Sequence, residues 1–160
     1  MAKYSKILSL VMRFVAMAAS VAAVVVIVTT HDTAHVLNLT FTAKYNNTPA
    51  FVYFMIVEAI AGLYSLITLI LSTKNWFGRI VIILDVVMTV LLASSISAAL
   101  AIGDVGKKGN DDAGWLPICG QVPKFCDHVT GALIAGVASA ILYFTILLYS
   151  LYTVLDPILM

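Results

Sequence analysis

Residues 80–102 read IVIILDVVMTVLLASSISAALAI, and Asp85 is the only charged side chain in this run. At a rise of 1.5 Å per residue, a helix of this length crosses the roughly 30 Å hydrocarbon core of a bilayer. Three further apolar runs occupy residues 7–30, 50–72 and 129–155. Only helices or closed barrels satisfy their backbone in lipid, and none of these runs alternates like a barrel strand. The sequence therefore predicts an all-α integral membrane protein, with one four-helix transmembrane domain spanning residues 1–160.

The composition supports a membrane protein and excludes several functions. Hydrophobic residues make up 62% of the chain, charged residues only 11%, and the mean hydropathy is +1.05. Soluble domains are typically about 45–50% apolar and about 25% charged. The net charge of +1 gives no basic footprint for nucleic acid. The sequence also lacks a glycine-rich phosphate loop and an H-E-x-x-H motif. We therefore expect a lipid bilayer as the surroundings, with no nucleic-acid partner, cofactor or enzymatic activity.

Basic residues near the predicted helices indicate the orientation. Lys3, Lys6, Lys74 and Arg79 lie in short segments on one side, whereas the other lysines are spread over two longer loops. A higher density of basic residues marks the cytoplasmic side. Both chain ends and the loop 73–79 are therefore predicted to be cytoplasmic, and the loops 31–49 and 103–128 extracellular. The first apolar run is longer than a signal-peptide core, so we expect it to remain as a helix.

The predicted extracellular loops contain candidate modification sites. Asn38 and Asn46 each begin an N-x-T tripeptide, the acceptor pattern for glycosylation, although such tripeptides also occur by chance. The only two cysteines, Cys119 and Cys126, lie in the second loop. An extracellular loop permits a disulfide, which is the pairing we expect. A metal site that also uses Asp127 and His128, or two free thiols, are the alternatives.

Two charges inside the predicted spans lie at matching depths. Arg13 is about 9 Å into the first helix, and Asp85 is at a similar depth in the third, which starts from the same side. A charge in the membrane is costly unless it faces the bundle interior and finds a partner. We therefore predict an intramembrane ion pair between Arg13 and Asp85. The pair is interpreted as a clamp that fixes helix packing, and an ion or proton pathway is the alternative.

Glu58 is the third ionisable residue in the predicted spans. It lies about 12 Å below the extracellular surface, which is too far from Arg13 for direct contact. A carboxyl buried without a basic partner favours its neutral form. We expect it to bond to a hydroxyl or to a partner subunit, with a role in transport as the alternative.

The fourth predicted helix and the histidines complete the candidate residues. Ala132, Gly136 and Ala140 form a small-residue row that allows close helix packing, either within the bundle or with another copy. His31, His35 and His128 fall in the extracellular loops. We interpret them as solvated residues; weak metal binding by His31 and His35 would require a helical extension that brings them together.

Several segments resemble the Casparian strip membrane protein-like family of land plants. They include Arg13, the stretch 45–54 (YNNTPAFVYF), residues 61–65 (AGLYS) and Asp85. The most specific segment runs from Gly114-Trp115 through Cys119 to Phe125-Cys126-Asp127-His128 and on to residues 131–133. The resemblance covers almost the whole chain and is strongest to subgroup 1 of the family.

The resemblance implies a plasma-membrane protein with both ends in the cytoplasm and a layout similar to animal MARVEL proteins. It also implies homo- and hetero-oligomers, and a scaffold that recruits wall-modifying enzymes. The family's paired arginine and aspartate correspond to Arg13 and Asp85. We expect a non-enzymatic scaffold on these grounds. The competing hypothesis is a small transporter or channel that uses Arg13, Glu58 and Asp85.

Overall fold

Four long helices make up most of the computed structural model, which describes residues 2–36, 39–71 and 78–159. Helix α1 spans Ala2–Thr29, α2 Pro49–Leu71, α3 Gly78–Lys108 and α4 Pro123–Leu159. Each is long and apolar enough to cross a bilayer. All four predicted helices are therefore present.

The helices are arranged in a ring in which each contacts its neighbours in the chain. Helix α1 packs against α2 and α4, and α3 packs against the same two helices. The pairs α1–α3 and α2–α4 therefore face each other across the diagonals of the bundle. Neighbouring helices α1 and α2 run antiparallel, because Arg13 approaches Thr68 while Ser20 approaches Gly62.

Burial follows the helical repeat, and the buried face of α1 consists mainly of small and polar residues. On α1 the buried face contains Arg13, Ala16, Ser20 and Ala23. Large side chains such as Phe14 on the opposite surface are exposed. Lipid solvates leucine and valine as well as a protein core does, so close packing of small residues favours helix association instead. The small-residue face of α1 is thus the face that lines the core.

The helices extend beyond the predicted apolar runs. Helix α3 continues past Ile102 to Lys108, and α4 begins at Pro123 rather than near residue 129. Proline suits the first turn of a helix, where its missing N–H has no intrahelical partner. Gly109 ends α3 with a φ of 73°. A Cβ at Gly109 would lie only 2.6 Å from the Trp115 carbonyl oxygen, so this position requires glycine.

The segment 31–49, which the sequence predicts as a loop, contains a β-hairpin. Strands β1 (His31–Val36) and β2 (Leu39–Lys44) pair antiparallel, with His31 opposite Lys44 and Val36 opposite Leu39. A short 3-10 helix, Tyr45–Asn47, leads into α2. Both segments contain threonine, and β1 also contains Val36; such β-branched residues favour the extended backbone. The helical extension that would bring His31 and His35 together is therefore wrong, because these residues lie on a strand.

Candidate functional site

The bundle interior contains an ion pair between α1 and α3. Arg13 donates from Nη2 to Asp85 Oδ2 at 2.6 Å and from Nη1 to Asp85 Oδ1 at 3.1 Å. The two side chains are 7% and 0% exposed. Helical spacing places both residues on interior faces at the same level of the bundle. The contact crosses a diagonal of the bundle, so it joins two helices that otherwise face each other at a distance.

Two hydroxyl groups on α2 complete the surroundings of this ion pair. Tyr64 donates to Asp85 Oδ1 at 2.6 Å, and Arg13 Nη1 approaches Thr68 Oγ1 at 3.4 Å. The Arg13 guanidinium also lies 6.0 Å from the centre of the Tyr64 ring. A buried ion pair is stable only when further hydrogen bonds satisfy its remaining atoms. We call Arg13, Asp85, Tyr64 and Thr68 the ion-pair tier.

A second tier lies between α2 and α4, across the other diagonal. The Tyr143 hydroxyl is hydrogen-bonded with Ser65 Oγ and donates to the Ala61 carbonyl oxygen. Tyr143 is fully buried, and its ring centre lies 6.4 Å from that of Tyr64. The two tyrosines therefore bring the second tier next to the ion-pair tier. Neither tyrosine is among the site residues that the sequence predicts.

Glu58 forms a third tier, also between α2 and α4. Ser139 Oγ lies 3.1 and 3.0 Å from the two carboxyl oxygens of Glu58, and both residues are fully buried. Ser20 on α1 adjoins the same carboxyl, but its hydroxyl makes no hydrogen bond of good geometry within the described residues. We call Glu58, Ser139 and Ser20 the carboxyl tier. Glu58 precedes Thr68 by ten residues, about 15 Å along α2, so the carboxyl tier is distinct from the ion pair.

Gly136 allows the carboxyl tier to form. A Cβ at this position would lie 2.6 Å from the Phe54 ring and 2.9 Å from Glu58 Oε1. The predicted small-residue row on α4 therefore faces inward at this point. Ala132 is likewise fully buried, whereas Ala140 is partly exposed. Gly136 and Ala132 therefore pack within the chain in this structure, and the contact with another copy stays a prediction.

The loop between α3 and α4 is held against the bundle at its two ends. The N–H groups of Ile118 and Cys119 donate to the Gly106 carbonyl oxygen at 3.0 and 3.2 Å. The Cα atoms of Cys119 and Cys126 are 5.7 Å apart, and their sulfur atoms are at bonding distance. Native disulfides commonly have this Cα separation. The geometry is compatible with the expected disulfide, which would tie the loop to the first turn of α4.

The remaining predicted sites differ in how far the structure describes them. Asn46 is exposed on the 3-10 helix, and Asn38 lies outside the described residues. His31 and His128 are exposed, with His128 Nδ1 2.7 Å from the Lys124 carbonyl oxygen. Across the described part of the chain, no three His, Cys, Asp or Glu side chains are grouped so as to hold a metal.

The fold and its interior define the class: a multi-pass membrane protein whose buried polar groups bond mainly with one another across the bundle. Comparison with known proteins supplies the family. The profile of the Casparian strip membrane protein domain matches residues 2–142. The chain belongs to this family, which confirms the resemblance seen in the sequence.

Named relatives agree with this assignment. The chain is 65% identical to CASP-like protein 1C2 of Populus trichocarpa over 99% of this chain and 97% of the relative. It is 58% identical to CASP-like protein 1C1 of Vitis vinifera, over 98% of this chain and 99% of the relative. The corresponding 1C1 protein of Arabidopsis thaliana is 52% identical over 94% and 92% of the two chains. No solved structure matches the chain.

Proposed function

We propose that this protein is a non-enzymatic scaffold of the plasma membrane that associates laterally with copies of itself and with family members. Membership of the Casparian strip membrane protein family carries this proposal. In such a scaffold the role of the buried polar tiers is structural. They hold the four helices in one arrangement, so that the lipid-facing surfaces present a fixed pattern to neighbouring proteins. Recruitment of wall-modifying enzymes is part of the same proposal.

The outer surface of α3 contains a row of small residues suited to contact between copies. Ala93, Ser97 and Ala101 recur every four residues, and all three are exposed. The Ser97 hydroxyl donates to the Ala93 carbonyl oxygen at 2.7 Å, so it is already satisfied in a single copy. Small side chains at this spacing let two helix backbones approach closely in lipid. Self-association through this surface needs no new polar partner.

Single-molecule photobleaching in nanodiscs or native membrane particles tests self-association. We expect several bleaching steps per particle for the unmodified protein and fewer for Ser97→Leu. Thr145→Leu is the matched control, because Thr145 is also exposed and donates to the carbonyl oxygen four residues earlier, at 2.7 Å. Single bleaching steps for the unmodified protein at all expression levels, together with free diffusion in the membrane, would refute the scaffold.

The orientation is also proposed, with both chain ends in the cytoplasm and the Cys119–Cys126 loop outside the cell. Glycosylation of Asn38 or Asn46 and the disulfide both require this arrangement. Protease or tag accessibility in sealed vesicles tests it directly. Cytoplasmic exposure of the loop 103–128 would overturn the orientation, the disulfide and both glycosylation sites together.

A transporter or channel is the second candidate, and one structural observation favours it. The three tiers place ionisable and hydroxyl side chains along much of the bundle interior, from Arg13 and Asp85 through Tyr143 to Glu58. Proton or ion flux into liposomes tests this function. The expected result for a transporter is flux that disappears on Glu58→Gln. Flat traces at all voltages would exclude it and leave the scaffold.

A further inference from the structure

A cavity of about 370 Å³ lies at the end of the bundle next to the cysteine pair. Ligand pockets range from about 300 to 1,000 Å³, so the cavity is large enough for part of a small molecule. Its deep wall is apolar and belongs to α2 and α4. The buried side chains of this wall are Phe51, Phe125, Val129 and Leu133.

The cavity is open towards the lipid-facing surface of the bundle. Leu100 on α3 and Ile134 on α4 both line it, and they are 45% and 67% exposed. These two residues belong to the apolar parts of their helices, which face hydrocarbon in a bilayer. An acyl chain can therefore reach the deep wall from the side without crossing a polar surface.

The wall formed by α3 changes from apolar to charged along the cavity. Leu100 and Ile102 are followed by Gly103, and then by Asp104 and Lys107. Charged residues on a membrane-spanning helix mark the headgroup region rather than the hydrocarbon. The cavity therefore crosses the boundary between these two regions, and it suits a molecule with an apolar part and a polar part.

The polar rim presents one basic side chain to such a molecule. Asp104 forms an ion pair with Lys108 at 2.9 Å. Lys107 lines the cavity and forms no ion pair with any residue in the described ranges. The opposite rim is closed by Ile118 and Cys119, whose N–H groups bond to Gly106. The rim is therefore a fixed structure with a cation facing the headgroup region.

We propose that this cavity binds one acyl chain of a glycerophospholipid from the surrounding leaflet, with the lipid phosphate against Lys107. The apolar wall packs against the acyl chain and separates it from the surrounding lipids. The Lys107 ammonium group donates charge-assisted hydrogen bonds to the phosphate. The protein would thus retain one lipid at this position when other lipids are removed.

Native mass spectrometry of the whole protein, released from nanodiscs of phosphatidylcholine and phosphatidylglycerol, tests the site. A Cβ at Gly103 makes an ordinary contact of 3.5 Å with Leu133, and both residues line the cavity, so Gly103→Leu adds side-chain atoms within the cavity. Leucine is also a better helix former than glycine, so the substitution does not weaken α3 itself. Ala138→Leu is the matched control, since Ala138 is exposed on α4 and does not line the cavity.

We expect one phospholipid per protein on the unmodified chain and on Ala138→Leu, and loss of this adduct on Gly103→Leu. Lys107→Gln should weaken retention roughly tenfold, while Lys124→Gln leaves it unchanged, because Lys124 is exposed and does not line the cavity. An adduct that survives Gly103→Leu overturns the site. Equal retention of diacylglycerol and phospholipid overturns the contact between Lys107 and phosphate.

A second measurement requires no variant. A phospholipid with a diazirine at the end of one acyl chain should label the cavity wall, residues 129–137, above the rest of the lipid-facing surface. Phe144 and Leu148, which are exposed farther along α4, report the background labelling. Even labelling along α4 would show that the cavity contacts bulk lipid only, and would overturn the proposal.

Discussion

The ion-pair tier and the carboxyl tier each bury an acidic side chain in the bundle interior. The two carboxyl groups differ in the partners that bond to them. Asp85 has a guanidinium with two hydrogen bonds to it and a tyrosine hydroxyl as a third donor. Glu58 has the Ser139 hydroxyl, and no cation lies within bonding distance of it among the described residues. The first tier therefore consists of interdependent charges, whereas the second consists of hydrogen bonds that a neutral group could also make.

Arg13→Ala should cause the largest loss of stability. It leaves the Asp85 carboxyl buried without a cation, and breaking a buried ion pair from one side costs about 3–5 kcal/mol. The measurement is the free energy of unfolding in mixed detergent micelles, with expression level as a supporting readout.

The double variant Arg13→Ala/Asp85→Ala is the control for this prediction. It removes both charges, so part of the stability should return. A double variant as unstable as the sum of the two single variants would show that the side chains act independently, against the interpretation as a clamp.

Gly136→Ala should be next in effect, at about 1–3 kcal/mol, because an added methyl overpacks a filled interior. The Cβ would approach the Phe54 ring to 2.6 Å and would also crowd Glu58. Gly131→Ala is the matched control on the same helix, since nothing lies within 4 Å of its Cβ position. Thermal unfolding of both variants measures the difference. Equal melting temperatures of the two variants would mean that Gly136 does not lie this close to Phe54 and Glu58.

The depth of each charged residue along its helix could be predicted from the sequence. The contacts that side chains make across the bundle could be predicted only in part. The sequence predicts a pair between Arg13 and Asp85 because both helices start from the same side and each charge needs a partner in lipid. Tyr64 and Tyr143 are uncharged and do not require a charged partner. Tyrosine also occurs both in packed interiors and at the membrane interface, so its position in the bundle does not follow from its residue type. Their positions depend on how helices meet across a diagonal, which hydropathy does not encode.

Helix ends and the hairpin show a second limit of the sequence. Hydropathy locates where lipid ends, and α3 continues beyond that boundary to Lys108, with an ion pair between Asp104 and Lys108 one turn apart. Strand β2 (LTFTAK) alternates apolar and polar residues, as a half-buried strand does, but β1 (HDTAHV) shows no such alternation, so only one of the two strands has a clear signal. The hairpin arises from pairing between these two segments rather than from either segment alone.

Tyr64→Phe should have a moderate effect, about 1–1.5 kcal/mol, which is near the upper end for interhelical hydrogen bonds in membrane proteins. The removed hydroxyl donates to the charged Asp85, and also lies 3.1 Å from the Val81 carbonyl oxygen. Tyr143→Phe is the comparison, because that hydroxyl bonds only to the neutral groups of Ser65 and Ala61. Unfolding free energies should show the larger loss for Tyr64→Phe. A larger loss for Tyr143→Phe would mean that the hydrogen bonds of Tyr143 contribute more to stability than those of Tyr64.

Glu58→Gln should have the smallest effect, below about 0.6 kcal/mol, which is the average for hydrogen bonds between membrane helices. Glutamine keeps the shape of the side chain, and its amide oxygen still accepts from Ser139. The matched variant is Asp85→Asn, the same neutralisation in the ion-pair tier, where Arg13 would lose its counter-charge and the loss should approach that of Arg13→Ala. Unfolding of the two variants in the same micelles gives the contrast directly. If Glu58→Gln proves as destabilising as Asp85→Asn, then a charge on Glu58 is held by a partner beyond Ser139, and the two tiers are not different in kind.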